Sequence, residues 1–189
     1  MIFIYKKIKF INTVFCLKKL SLITAAAVVL HGLTGCGGEQ KPTGWENYRS
    51  WKKPLAAPLE NAVPGHGQGV RVIYAAESAF NPVVSTDNTG RRRVVMKEGT
   101  IIVKEVYQNR AEFKRGAVDN LTVMVKDSKN KDAVNGWVWY MQKGMMSPQV
   151  MTSRMCAGCH EAANEQHPYF DKNPEDEFRD YLFAPFVKK

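Results

Sequence analysis

Met155 to Glu161 reads Met-Cys-Ala-Gly-Cys-His-Glu, and within it lies Cys156-x-x-Cys159-His160. Two cysteines at this spacing on an incipient helix can each form a thioether to one haem vinyl group, and the adjacent histidine then reaches the iron. The chemistry implied is a covalent haem c, one per chain, held by Cys156 and Cys159 with His160 as axial ligand of the iron. Three other uses of the motif compete. A thioredoxin-like Cys-x-x-Cys belongs early in an alternating strand and helix pattern, whereas this one lies near the C-terminus. A zinc site needs three or four ligands, and the nearby addition is His167. A disulfide across two residues gives His160 no role.

Haem attachment through cysteines calls for an exported chain, and the amino-terminal end reads that way. Residues 1–35 hold five lysines and no acidic residue, and include the apolar run Leu20 to Leu30. This is a basic n-region followed by an h-region, shorter than the about 20 apolar residues of a membrane span. Leu33-Thr34-Gly35-Cys36 then resembles the lipobox of bacterial lipoproteins. The expectation is a lipoprotein signal peptide over 1–35, and a lipidated Cys36 with a polar tether over 36–44. A domain over 45–189 would follow, anchored by lipid to a membrane and facing the periplasm. All four cysteines then have a use without a disulfide: Cys16 leaves with the signal, Cys36 takes lipid, and Cys156 and Cys159 take haem.

Charge follows the same logic. The formal net charge is +9, but taking the five lysines of the signal from the 27 Lys plus Arg leaves 22 against 18 Asp plus Glu, or +4. A nucleic-acid partner is therefore not expected.

The elements that must position the motif are mainly strands. Val70, Val72 and Tyr74 alternate with Arg71, Ile73 and Ala75, and Thr100 to Tyr107, Leu121 to Lys126 and Gly136 to Met141 are similarly rich in β-branched and aromatic residues. Turn residues join them, among them Asp87-Asn88-Thr89-Gly90 and Asp127-Ser128-Lys129-Asn130. The fold class expected is α+β: a predominantly antiparallel β-sheet with a few short helices and a haem-binding helix near the C-terminus. Trp45, Tyr48 and Trp51 share the spacing of one helix face, and Leu55 to Gly69, with His66, reads as loop. Helix is expected over Cys156 to Gln166, and again from Asn173 as N-cap with Pro174 first.

On the strand from Thr100, Ile102, Lys104 and Val106 point to one side. A lysine there is either an edge lysine or a group facing something specific. The chain as a whole resembles the cytochrome P-460 and cytochrome c-prime-beta family. The resemblance rests on Tyr48-Arg49-x-Trp51, Val70 to Tyr74, Gly99 to Glu105, Val125 to Ser128, Trp137 and the Cys156 to His160 motif, in that order. It implies an antiparallel β fold, and it matches Lys104 to the lysine that cross-links to the haem macrocycle in P-460 members, which makes Lys104 a candidate catalytic and haem-binding residue. Hydroxylamine-oxidising members carry a distal carboxylate on or just after the strand matching Leu121 to Val125. Here that strand reads Leu-Thr-Val-Met-Val, and Asp127, the nearest carboxylate, sits in a turn.

Two functions remain. One is an open-site haem that binds or oxidises small nitrogen species such as nitric oxide or hydroxylamine, with a cytochrome as redox partner and a homodimer admitted as assembly. The other is a six-coordinate electron carrier. A sixth ligand would come from His66, His167, Met124, Met145, Met146, Met151 or Met155; the resemblance implies an open position, and none is assigned.

Overall fold

The computed structural model describes residues 43–61, 66, 69–151, 154–184 and 186. The expected signal peptide, Cys16, Cys36 and the tether up to residue 42 lie outside the described residues. Five strands form one antiparallel sheet: β1 (Val70–Ala75), β4 (Ile101–Tyr107), β5 (Asn120–Lys126), β6 (Trp137–Lys143) and β7 (Gln149–Val150), in the order β1-β4-β5-β6-β7. Two further strands, β2 (Val83–Thr86) and β3 (Arg92–Val95), make a separate hairpin. It is turned by Asp87, whose carboxylate accepts from the Thr89 and Arg91 amides at 2.9 and 3.1 Å. The helices are short: α1 (Arg110–Arg115) and α2 (Arg154–Glu161), the latter continued by one 3-10 turn, Ala162–Asn164. The antiparallel class, the four expected strands and the C-terminal helix thus agree with the sequence reading. The hairpin strands, β7 and α1 were not expected.

Strand alternation gives the large sheet two unlike faces. Trp45, Tyr48, Val70, Val72, Tyr74, Val103, Tyr107 and Val123 pack on one. The expected helix from Trp45 is there a 3-10 turn, Tyr48–Ser50, with Trp45 and Tyr48 buried. Glu105 lies in this layer, 1% exposed. Its carboxylate accepts from the Tyr48, Tyr107 and Tyr74 hydroxyls at 2.7, 2.6 and 3.3 Å and from Arg49 Nε at 2.7 Å. Burial alone would raise the carboxyl, but the bonds from Tyr107, Tyr48 and Arg49 outweigh it and hold Glu105 below the usual carboxylate range.

The opposite face carries the second core, built on Ala75, Ile102, Met124, Trp137 and Trp139 and covered by Ala157 of α2 and by Leu182, Ala184 and Phe186. The covering segment after residue 171 is not the expected helix. Asn173 and Asp176 have φ of 45° and 52°, a left-handed backbone that interrupts any helix there. Asn173 does not cap a helix. Its Nδ2 donates to the Ala163, Glu165 and Glu177 carbonyls at 3.4, 3.1 and 2.9 Å, and its Oδ1 accepts from the Glu177 amide at 3.0 Å. Tertiary partners therefore take the groups that capping would have used.

Asp180 pins this irregular segment to the sheet. Its buried carboxylate takes Lys126 Nζ and the Met96 amide, each at 2.8 Å, and Trp137 Nε1 at 3.2 Å. Phe178 bonds through its backbone to Arg92 and Val94 of β3 at 3.0 and 2.8 Å, joining the hairpin to the same cover.

Glu105→Ala would leave three tyrosine hydroxyls without their acceptor. A loss of about 3–5 kcal/mol is expected, as for a broken buried ionic network, read as a lower denaturant midpoint. A loss below about 1 kcal/mol would contradict this account of the layer.

Candidate haem site

Helix α2 presents Cys156, Cys159 and His160 three and four residues apart, so the three share one side of it. Cys156 is half-buried against the second core, Cys159 is exposed, and both are free thiols. Burial raises the Cys156 thiol, while nearby Lys104 acts to lower it.

His160 is held on three sides. Its ring packs on Trp139 at 4.8 Å and Phe183 at 5.3 Å between centroids, and its Nδ1 lies 2.8 Å from the Tyr181 carbonyl oxygen. A carbonyl only accepts, so Nδ1 carries the proton and donates, leaving Nε2 with its lone pair. Burial pushes the imidazole down to about 4; the Tyr181 bond acts against this and Lys104 reinforces it. His160 is therefore a neutral imidazole with an oriented free nitrogen, which is the state a metal ligand requires.

Lys104 approaches from the sheet. Register places Ile73, Lys104, Thr122 and Met141 side by side across β1, β4, β5 and β6, with Ala75, Ile102, Met124 and Trp139 in the row beside them. β4 lies between β1 and β5, so the edge reading of this lysine fails. Burial, then the positive charge of Arg71, pushes its amine down to about 7.

His66, expected to be an ordinary loop histidine, joins this group. Its Nδ1 and Nε2 lie 2.9 and 3.2 Å from Lys104 Nζ, and its ring centroid is 6.2 Å from that of His160 with the planes 86° apart. Burial and the neighbouring cation of Lys104 push it down to about 3, so it too is neutral. Lys104 Nζ thus reaches both ring nitrogens: as an ammonium it donates to the one with the lone pair, and as an amine it accepts from the one with the proton.

Arg71 completes the constellation. It is 2% exposed, its guanidinium donates to the Asn61 carbonyl, and its Nε has no hydrogen-bond partner. Among the described residues neither Arg71 nor Lys104 forms an ion pair. Trp139 Nε1, on the side chain that meets His160 edge-on, is also buried without a partner.

These residues fit a haem. Two thiols and a neutral imidazole match its covalent and axial attachment, and the buried Arg71, a cation without an acid, matches one of its carboxylates. The zinc reading fares worse: among the described residues no three or more His, Cys, Asp or Glu gather into a metal cage. His167 packs instead on Phe183 and Tyr169, and Met145 and Met146 are exposed.

The sequence model of the family described as Cytochrome P460 matches residues 45–184. The chain belongs to the cytochrome P460 family. No curated protein matches it. Membership implies a c-type haem protein with covalently bound haem c, in a family related to hydroxylamine oxidation. In this P460 chain no acidic side chain stands on the sheet face covered by α2, whose positions on β1, β4, β5 and β6 are Arg71, Ile73, Ala75, Ile102, Lys104, Val106, Asn120, Thr122, Met124, Lys126, Trp137, Trp139, Met141 and Lys143. Asp127 stays in its turn, accepting from Asn130 Nδ2 at 3.3 Å.

Sequence reasoning named His66 only among seven possible sixth ligands and assigned it no role, and it missed Arg71 and the Tyr181 carbonyl as parts of this site. Arg71 left a legible signal, a charge flanked by Val70 and Val72 on a strand. The Tyr181 carbonyl depends on chain conformation and had none.

Acidified organic solvent should leave haem on the native polypeptide. From a Cys156→Ala, Cys159→Ala, Lys104→Ala triple variant, which removes the thiols and the candidate lysine link together, it should extract fully, with absorbance moving to the organic phase. Retention by the triple variant would refute the assignment of covalent attachment to these side chains.

Proposed function

We propose that this P460 chain uses its haem to bind small nitrogen species, nitric oxide foremost, and that oxidation of hydroxylamine is its weaker activity. The observation that carries this is the site's polarity: an apolar wall of Ile73, Ile102, Met124 and Trp139, neutral imidazoles and an amine, with no carboxylate on the sheet positions facing it. Oxidising hydroxylamine requires a base to take the substrate's protons as its electrons leave, and a carboxylate is the group relatives are expected to use. Binding a neutral diatomic requires none. A bound haem supplies the iron at which such ligands are held, and the protein supplies the shape and polarity around it.

His160 fixes the proximal side, and Cys156 and Cys159 hold the macrocycle. Lys104 is the candidate cross-link to it: burial and Arg71 lower its amine to about 7, so a nucleophilic free amine is available at neutral pH. Joining it to the macrocycle would remove one N–H and one ring C–H hydrogen and pass two electrons to an added oxidant such as a peroxide. Export, a lipid anchor at Cys36, a periplasm-facing membrane surface and a cytochrome as redox partner complete the proposal. They rest on the sequence of the first 36 residues and on the compartment in which a covalent haem is made.

Ferrous holoprotein titrated with nitric oxide is expected to show a saturable shift of the Soret band, while hydroxylamine with an artificial electron acceptor is turned over slowly or not at all. An unchanged Soret band would overturn the binding assignment, and rapid turnover would reverse the order of the two activities. Peptide mass mapping should find Lys104 in a haem-linked species; unmodified Lys104 would remove the cross-link. Cys36→Ser should move the protein from the membrane fraction to the soluble one, and a variant that stays in the membrane would exclude the lipid anchor.

A further inference from the structure

Glu105 lies one residue beyond Lys104, on the other face of β4, where three phenols and one guanidinium share its carboxylate. Tyr107 donates to Oε2 at 2.6 Å and Tyr48 to Oε1 at 2.7 Å, with Tyr74 at 3.3 Å from Oε2. Packing alone does not call for these hydroxyls. Tyr107 meets Phe113 edge-on at 5.2 Å and Tyr48 meets Tyr74 at 5.3 Å, contacts that phenylalanine rings make equally well. A buried charge together with its donors is often replaceable by apolar side chains without loss of stability. The layer therefore holds chemistry that its packing does not need.

That chemistry is the coupled loss of a proton and an electron. A phenol is far easier to oxidise when a base stands ready for its proton, because the oxidised phenol is a strong acid. Glu105 rests as a carboxylate, and burial together with Glu105 pushes the Tyr107 and Tyr48 phenols up, so each proton stays on its oxygen until an electron leaves. Arg49, whose side chain is 62% exposed, reaches the same carboxylate from the surface at 2.7 Å. Lys104 points to the face that α2 covers, so the phenols stand directly behind the strand that bears the haem-side lysine.

We infer that Tyr107 is a built-in electron donor that completes the reduction of peroxide at a ferrous haem, with Glu105 taking its proton. Peroxide needs two electrons to become water, and an iron passing from ferrous to ferric gives one. The phenol gives the other: its O–H bond breaks, the electron crosses β4 to the haem, the proton moves to Glu105 and a tyrosyl radical remains. One peroxide, one ferrous iron, one phenol, one carboxylate and two protons from solvent thus give one ferric iron, one phenoxyl radical, one carboxylic acid and two waters. This activity calls for a haem with an open position and goes beyond the binding of nitrogen species.

Ferrous holoprotein mixed anaerobically with one equivalent of hydrogen peroxide, and frozen within milliseconds, is read by electron paramagnetic resonance at matched haem content. The wild type is expected to give ferric haem together with an organic radical whose signal narrows when the chain carries ring-deuterated tyrosine. Tyr107→Phe should lose that radical and keep the visible spectrum of the haem. Tyr140→Phe, in the same layer but not on Glu105, should keep both. In D2O the radical should form more slowly, since its proton moves with the electron; a hydroxyl that serves only the fold would show none of this. The absence of a radical in the wild type overturns the inference. So does a radical that persists in Tyr107→Phe, or one that tyrosine deuteration leaves unchanged, the mark of oxidation at tryptophan instead. Should Tyr107→Phe fail to hold haem, the wild type alone decides: equal rates in H2O and D2O, or a signal indifferent to tyrosine deuteration, overturn it.

Discussion

Asp180 is the joint on which the site depends. One buried carboxylate holds Lys126 from β5, the Met96 amide beyond β3 and Trp137 from β6. Removing such a carboxylate strands a buried cation and two donors at once, which makes the joint stiff as well as strong. The next residue supplies the carbonyl that orients His160. The proton position of the His160 imidazole is thus fixed by a chain of contacts that begins in the sheet, passes through Asp180 and ends at Tyr181.

Lys104 and Glu105 show how one strand can give two neighbouring charges opposite fates. Alternation sends Glu105 into a layer where three tyrosines and an arginine satisfy it, and Lys104 into one where no acid waits. A satisfied buried charge stabilises a fold; an unsatisfied one is retained at a cost and marks a place where something else must bind. The same contrast separates Arg49, paired with Glu105, from Arg71, whose Nε is unpaired.

The parts of this architecture written into local pattern were readable in advance. Strand alternation from Val70, Thr100, Leu121 and Gly136 identified four strands of the sheet and the face on which Lys104 lies, because a period of two assigns every side chain once the strand is known. Cys156 to His160 named the chemistry by spacing alone. The missed α1 did leave a signal: Asn109 accepts from the Ala111 and Glu112 amides and Gly116 closes the helix at φ 68°, a cap and a stop that the sequence displays. The last segment could not be read, since Asn173-Pro174-Glu175-Asp176 has the composition of a helix start and is diverted by contacts with residues far along the chain. The sequence offered His66 as a candidate, but its place beside Lys104 was illegible for the same reason, because a loop residue is placed by what surrounds it.

The cover over α2 closes late in any order of assembly. Phe178 bonds to residues of β3 about 85 positions earlier, and Asp180 reaches back 54 residues to Lys126 and 43 to Trp137. Joining such distant segments is entropically slow, and it follows the pairing of neighbouring strands. Until it happens, α2 and its thiols are reachable on a sheet that has already formed, and the histidine nitrogen is not yet aimed. Topology therefore leaves a window in assembly in which the side of α2 that bears Cys156, Cys159 and His160 is still open, and the last stretch of chain closes it.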